Sequence, residues 1–153
     1  MDMPLGYLFN GLNQDQLKRI KAIATQIAIN KGQEICKEEE EAKALFILKT
    51  GAVELLTTID SEVELTIAML RKPGKIFGAG VLVPPYQYAL TARCAETGTL
   101  LSIERLALQK LLKEDSDLGF MVMTNLAEHF LGKLKQSRQE LKIHFNTLLK
   151  SFR

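Results

Sequence analysis

Residues 26–103 form a series of short extended segments, and nearly every segment ends at a turn signal. The segments are 26–30, 33–37, 44–48, 52–59, 62–70, a run ending at Phe77, 89–95 and 99–103. Glycine, proline, aspartate and serine at the breaks are residues that turns prefer. Strands this short and this closely spaced pair with their neighbours, so the series predicts an antiparallel barrel or jelly roll of about eight strands.

Helical periodicity is confined to the two ends of the chain. Asn13 is a suitable N-cap for a short amphipathic helix whose apolar residues recur at helical spacing up to Ile23. A second short helix is predicted over 104–113, and residues 115–153 contain no proline and predict one long helix. The fold class is therefore mainly β with flanking helices: an eight-stranded antiparallel β-roll with an N-terminal helix and a long C-terminal helix.

The long helix carries apolar residues in alternating spacings of four and three. They are Ala127, Leu131, Leu134, Leu141, Phe145, Leu148 and Phe152, with Arg138 at the one position that interrupts the series. Packing on the chain's own roll explains the first of these equally well. By Leu141, however, the helix has run about 35 Å from residue 117, beyond a small barrel. The heptad spacing from Leu131 to Phe152 therefore predicts a homodimer.

Length and composition favour one soluble globular unit. The 153 residues are 46% hydrophobic and 25% charged with a net charge of +2, and no run of about 18 apolar residues predicts a membrane span. No secretory signal is visible at the N-terminus, and Cys36 and Cys94 fit buried, reduced thiols, so we expect a cytoplasmic protein. We predict a roll with its short helices over 1–115 and the dimerising helix over 116–153.

Residues for enzymatic chemistry are sparse in this sequence. Its only histidines, His129 and His144, both fall on the C-terminal helix, so they predict no metal centre of the kind that small β-roll enzymes build from strand histidines. No nucleophile–base pair or paired acid and base stands out in the strands. We expect a protein that is not an enzyme and holds no metal or resident cofactor.

The stretch 75–90 interrupts the strands and is the candidate ligand site. Gly78 and Gly80 free the backbone after Phe77, and Pro84-Pro85 ends the short helix that starts there. A glycine-containing turn that leads into a helix points several N–H groups in one direction. This predicts a cradle for a small anionic ligand.

Five motifs in combination resemble the cyclic nucleotide-binding domain family, whose members include the CRP/FNR-type bacterial regulators. They are Leu8-Phe9-x-Gly11-Leu12, Lys31-Gly32-x-x-Ile35, Leu45-Phe46-Ile47-Leu48-x-x-Gly51-x-Val53, Gly74-x-x-Phe77-Gly78, and residues 100–105. The resemblance covers about residues 7–135. It implies the β-roll, and it identifies the stretch after Gly74 as the family's phosphate-binding cassette.

The cassette departs from the family pattern at its two ligand anchors. The family's glutamate, which holds the ribose hydroxyl, is replaced by Ala79, and its arginine, which pairs with the cyclic phosphate, is replaced by Tyr88, although Gly78 and Leu82 are kept at the family's spacing. We predict weak or altered binding of a cyclic nucleotide or other small anion, with Tyr88 stacking on a base or filling the pocket. The predicted ligand-binding residues are Phe77, Gly78, Ala79, Gly80, Val81, Leu82, Tyr88, Ala89 and Leu90.

Two functions remain open at this point. The first is a regulatory sensor domain in which a ligand in the cassette repositions the long helix, with the dimer or an unidentified protein partner as the target. The second is an interaction module that kept the fold and lost the ligand. DNA-binding members of the family continue into a winged helix-turn-helix module, and we expect no such module in these residues.

Overall fold

A computed structural model describes residues 5–152, so predictions that concern residues 1–4 and Arg153 lie outside it. The strands are β1 (Ala24–Ile29), β2 (Glu34–Cys36), β3 (Ala44–Asp60), β4 (Val63–Leu70), β5 (Ile76–Phe77) and β6 (Thr91–Glu104). The helices are α1 (Gln14–Ala22), α2 (Arg105–Glu114) and α3 (Ser116–Ser151), with short 3₁₀ helices at Tyr7–Phe9 and Ala79–Leu82.

The strands form one antiparallel sheet in the order β1-β6-β3-β4, with β2 paired to β6 and β5 paired to β3. The predicted mainly β fold with flanking helices is confirmed. The described residues contain six strands rather than eight, because β3 and β6 each continue through a predicted turn. At those points Gly51 and Gly98 let the two strands approach closely: a Cβ on Gly98 would lie 2.1 Å from the carbonyl oxygen of Thr50.

Side-chain caps define where α1 and α3 begin. Asn13 and Gln16 form a reciprocal capping box, with hydrogen bonds of 2.8 and 3.0 Å between each side chain and the other residue's backbone N–H. Asp115 caps α3 by accepting from the N–H of Leu118 at 3.1 Å, and it also accepts from Arg19 of α1 at 2.7 Å. Asp115 therefore ties the start of the long helix to the N-terminal helix.

The first part of α3 packs on the roll and the remainder extends away from it. Leu118, Val122 and Leu126 are buried in the same core as the strands, and Asn125 donates to the carbonyl oxygens of Leu8 and Asn10 at 2.9 Å each. Every residue from 131 to 152 is exposed. The helix has 36 residues, which corresponds to about 54 Å. Its first residue, Ser116, opens the predicted second segment, and the division of the chain at residue 115 stays a prediction.

Candidate functional site

The backbone of the cassette follows from its glycines. Gly78 has a left-handed conformation, φ 84° and ψ 26°, and it caps the 3₁₀ helix Ala79–Leu82. A Cβ on Gly80 would lie 2.1 Å from the carbonyl oxygen of Gln87, so only glycine lets the two ends of the loop touch. The chain returns to an extended conformation at Val83, directly before the two prolines, as predicted.

The second half of the cassette is held to a neighbouring loop by backbone hydrogen bonds. The N–H of Tyr88 donates to Glu40 at 3.0 Å, and the carbonyl oxygen of Tyr88 accepts from Glu39 at 2.8 Å. The N–H of Ala42 donates to Tyr86 at 2.7 Å. These bonds hold residues 86–88 in one position without any contribution from their side chains.

The side chain of Tyr88 is buried and its hydroxyl group is fully engaged. The hydroxyl donates to the carbonyl oxygen of Ala44 at 2.8 Å and accepts from the N–H of Ala44 at 3.1 Å. The exposed fraction of the residue is 7%, and burial raises the pKa of its phenol. The residue at the family's arginine position is therefore a neutral side chain bonded to the protein's own backbone.

A cavity of about 190 Å³ lies between the cassette, the sheet and α3. Seven of the nine predicted ligand-binding residues line it: Phe77, Gly78, Ala79, Gly80, Tyr88, Ala89 and Leu90. The other two, Val81 and Leu82, do not line it. Both are buried in the main core. Whether the seven bind a ligand stays a prediction.

Residues far apart in the chain complete the wall of the cavity. They are Tyr7, Cys36, Leu55, Ile76, His129 and Phe130. The ring of His129 stacks on that of Tyr7, with centroids 3.7 Å apart and planes 10° apart, and its edge meets Phe130 at 5.4 Å. Ile76 falls within the stretch 75–90, and the pattern of residues around the cassette gave no signal for the other five. Folding brings them together, and two of them belong to α3.

The titratable groups in the wall favour their neutral forms. Burial raises the pKa of both Tyr7 and Cys36 to about 12. The pKa of His129 is lowered, first by burial and then by the charges of Lys133 and Lys75. No Lys, Arg, Asp or Glu lines the cavity within residues 5–152. The wall therefore presents neutral and mainly apolar groups to a ligand.

Arg93, the nearest downstream arginine, is engaged elsewhere. Its guanidinium forms ion pairs with Glu64 at 2.5 Å and with Glu54 at 3.8 Å, and it does not line the cavity. Arg93 therefore does not replace the missing arginine in the cavity wall. β6 begins only at Thr91, three residues after Tyr88.

Most of the exposed apolar residues of α3 lie on one face, which we call the α3 stripe; Met121 and Ile143 lie outside it. At about 100° per residue, the residues of the stripe fall within an arc of about 100°. The stripe contains Phe120, Met123, Ala127, Phe130, Leu131, Leu134, Leu141, Phe145, Leu148, Leu149 and Phe152, with Arg138 among them. The six residues predicted to dimerise are 55–85% exposed. Phe130 belongs both to this stripe and to the wall of the cavity.

The sequence of residues 26–115 matches the family model of the cyclic nucleotide-binding domain, which is more than half of the chain. The chain belongs to the cyclic nucleotide-binding domain family. The resemblance inferred from its motifs is thereby confirmed. The cassette lies within the matched residues, and α3 begins directly after them at Ser116.

Similar proteins include bacterial regulators. The chain is 31% identical to a putative cyclic nucleotide-binding protein from Geobacter metallireducens (TM-score 0.70), over 83% of this chain and 91% of that one. It is 25% identical to the catabolite activator protein of Thermus thermophilus (TM-score 0.77), over 90% and 62%. An anaerobic regulatory protein of Bacillus subtilis is 23% identical over 87% of this chain. The match spans 56% of the Bacillus protein's length.

None of the helices between residues 5 and 152 is long and apolar enough to cross a membrane. Among the same residues, no three His, Cys, Asp or Glu side chains are grouped so as to hold a metal ion.

Proposed function

We propose that this chain is a non-enzymatic regulatory sensor domain that dimerises through the α3 stripe and binds cyclic nucleotides only weakly. The observation that carries the proposal is the position of α3. One part of the helix closes the cassette cavity through His129 and Phe130, and the following turns expose an apolar stripe. A ligand that moves these two side chains also moves the stripe.

Phe130 is the direct link between the two functions of the helix. It lines the cavity, yet 52% of it is exposed on the stripe. A partner helix on the stripe would cover part of this ring, and a ligand in the cavity would touch another part. Occupancy of the cavity and packing in the dimer are therefore coupled through one side chain, because each event acts on the position of the same ring.

Weak binding of cyclic nucleotides follows from the lost anchors. A hydrogen bond that involves a charged group contributes about 1.5–3 kcal/mol, and each 1.4 kcal/mol is about tenfold in affinity. Replacing both the glutamate and the arginine, by Ala79 and Tyr88, therefore costs roughly two to four orders of magnitude. Arg93 is already paired with two glutamates and does not supply the missing charge.

Light scattering and thermal shift test the proposal together. At micromolar concentration we expect twice the 17.2 kDa mass of the chain. Cyclic AMP, cyclic GMP and cyclic dinucleotides should raise the melting temperature only at millimolar concentration, because the shift depends on the ratio of ligand to dissociation constant. A monomer at all concentrations contradicts the dimer, and saturation at micromolar nucleotide contradicts the weak site.

A ligand-free interaction module is the second candidate, and the side chain of Tyr88 favours it. The phenol occupies the place of the arginine and bonds to both backbone groups of Ala44, as a residue that fills a pocket does. In this case α3 alone would do the work, on a second copy or on another protein. Complete absence of stabilisation by millimolar nucleotides would favour this candidate.

We also infer a reducing compartment such as the cytoplasm. Cys36 and Cys94 are both buried and unpaired. Proteins that keep free buried thiols are typical of reducing environments.

A further inference from the structure

We propose that the cassette cavity binds a neutral molecule built on a single aromatic ring. This inference deepens the regulatory role proposed above and rests on it, since it names the ligand that the sensor domain takes in place of a cyclic nucleotide. Three features of the cavity support it: its size, the absence of charge in its wall, and the rings that form the wall.

The volume suits a ligand with a single ring. The cavity measures about 190 Å³. Pockets for drug-sized ligands span about 300–1,000 Å³, whereas an apolar cavity of about 150 Å³ is large enough for benzene. A ring with one small substituent fits this space. A nucleotide with base, sugar and phosphate is larger than this space and would extend out of it.

The lack of charge in the wall favours a neutral ligand over an anion. Both charged positions of the family's cassette are occupied here by Ala79 and Tyr88, and the remaining titratable groups are neutral. An anion entering this space would lose its hydration without gaining a cation, which is costly in an apolar environment. A neutral ring loses little hydration and gains apolar burial.

The wall itself is rich in rings. Tyr7, Phe77, Tyr88, His129 and Phe130 come from four separate parts of the chain and converge on this one space. Aromatic pairs prefer stacked or edge-on contacts, and the stack of His129 on Tyr7 already provides such a surface. Ala89 and Phe130 are exposed at the edge of the cavity, so a ligand can enter between them.

Nuclear magnetic resonance with phenol as the probe tests the inference directly on the full chain. We expect saturable shifts of the methyl resonances of Leu55, Ile76 and Leu90, together with nuclear Overhauser contacts between phenol protons and these methyl groups. Cyclohexanol, of similar size but without a π-system, and benzoate, aromatic but anionic, serve as matched probes. Both should bind at least about tenfold more weakly than phenol.

Cavity-filling variants locate the binding site. Ala79→Leu places a larger side chain in the cavity and should lower phenol affinity at least about tenfold. Ala28→Leu makes the same change at an exposed position of β1 and should leave the affinity unchanged. Leu90→Phe fills the space from another side of the wall and provides an independent variant if Ala79→Leu does not fold.

The outcomes are distinct. Phenol binding that both filling variants abolish supports the inference. Equal binding of cyclohexanol overturns the preference for a ring, stronger binding of benzoate overturns the neutral site, and binding that persists in a folded filled variant places phenol elsewhere. A dimer that does not bind phenol contradicts this inference and leaves the proposed regulatory dimer standing. A monomer that binds phenol supports the inference and contradicts the dimer.

Discussion

The two halves of α3 differ in what covers their apolar residues. In the proximal half, residues 116–130, Leu118, Val122 and Leu126 are buried against the roll, and His129 and Phe130 close the cassette cavity. In the distal half, residues 131–151, every side chain is exposed although leucine and phenylalanine recur on one face. One continuous helix thus has one half whose partner is the chain itself and another half whose apolar face has no partner among the described residues.

The difference teaches that an apolar pattern in a helix does not reveal which surface will bury it. Periodicity predicts a helix with an apolar face, and only the distance of that face from the roll separates internal packing from association. The proximal half has two apolar faces. Leu118 and Val122 are buried in the core on one face, and Phe120 and Met123 are exposed on the other as part of the α3 stripe. The stripe therefore starts close to the roll and continues along the free helix.

The largest effect is expected from charge on the distal stripe. Leu141→Asp combined with Leu148→Asp places four carboxylates in the seam of a dimer, where burying unpaired charge is prohibitive. We expect complete conversion to monomer in light scattering. Ile143→Asp is the matched control, because Ile143 is 64% exposed in the same half but lies on the opposite side of the helix from the stripe. An unchanged mass in the double variant, or an equal change in the control, would contradict dimerisation through the α3 stripe.

Restoring the two charged residues of the cassette tests whether the cavity beside the proximal half of α3 can still bind a cyclic nucleotide. The double variant Ala79→Glu, Tyr88→Arg places both charged groups of the family pattern in the loop and removes the tyrosine side chain at position 88. We expect cyclic AMP affinity to rise by roughly two to four orders of magnitude, measured by calorimetry. Tyr86→Arg with Ala79→Glu is the control, since Tyr86 does not line the cavity. A folded Ala79→Glu, Tyr88→Arg variant that does not bind cyclic AMP would mean that α3 and the rest of the cavity wall block the site even when both charged residues are present.

Removing one oxygen tests how strongly Tyr88 holds the cassette. Tyr88→Phe leaves the N–H and the carbonyl oxygen of Ala44 without their hydroxyl partner in a buried place. The free energy of unfolding should fall by about 1–3 kcal/mol in chemical denaturation. Tyr86→Phe should cost much less, because the ring of Tyr86 faces the guanidinium of Arg105 at 5.0 Å and keeps this contact. Equal losses at the two positions would show that the Tyr88 hydroxyl has no special role.

The smallest effect concerns pH and the two histidines of α3. Because burial and the charges of Lys133 and Lys75 lower the pKa of His129 below 6.5, the folded state favours its neutral form. The stability that follows is present above about pH 6.5 and is lost as pH falls. The melting temperature of His129→Gln should therefore fall less than that of the wild type between about pH 7.5 and pH 5, by a few degrees at most.

His144→Gln in the distal half is the control for this measurement. His144 is fully on the exposed part of the helix and lies outside the cavity wall. We expect its pH profile to match that of the wild type. A His129→Gln profile that also matches the wild type would show that the stack on Tyr7 does not discriminate between the two protonation states.

Much of the fold and the loop of the candidate site was predictable from the sequence, because local rules decide them. Gly78, Gly80 and the two prolines determine the path of the cassette, and Asn13 and Asp115 mark helix starts by their capping chemistry. The strand count was too high, because a glycine where two strands approach closely looks the same in the sequence as a glycine in a turn. Gly51 and Gly98 are of the first kind.

The far wall of the cavity was not predictable by the same rules. Tyr7, Leu55 and Phe130 are separated by long stretches of chain, and only tertiary packing brings them together. The sequence showed that Tyr88 replaces the family's arginine, but it did not predict the partner of the tyrosine hydroxyl. That partner is the backbone of Ala44, and every residue type offers the same backbone groups. The sequence showed Arg138 as an interruption in the heptad series. The α3 stripe begins at Phe120, which is closer to the roll than the first residue of that series, Ala127.

Gly80 has a consequence for how this loop changes over evolutionary time. Because a Cβ there would meet the carbonyl oxygen of Gln87 at 2.1 Å, a substitution at position 80 would break the loop itself. The backbone of residue 88 is held by its own hydrogen bonds to Glu39 and Glu40, so these bonds remain when its side chain is exchanged. The residue that fixes the path of the loop is thus different from the residues whose side chains face the cavity. We therefore expect that substitutions at positions 79 and 88 alone change which class of ligand this loop can accept.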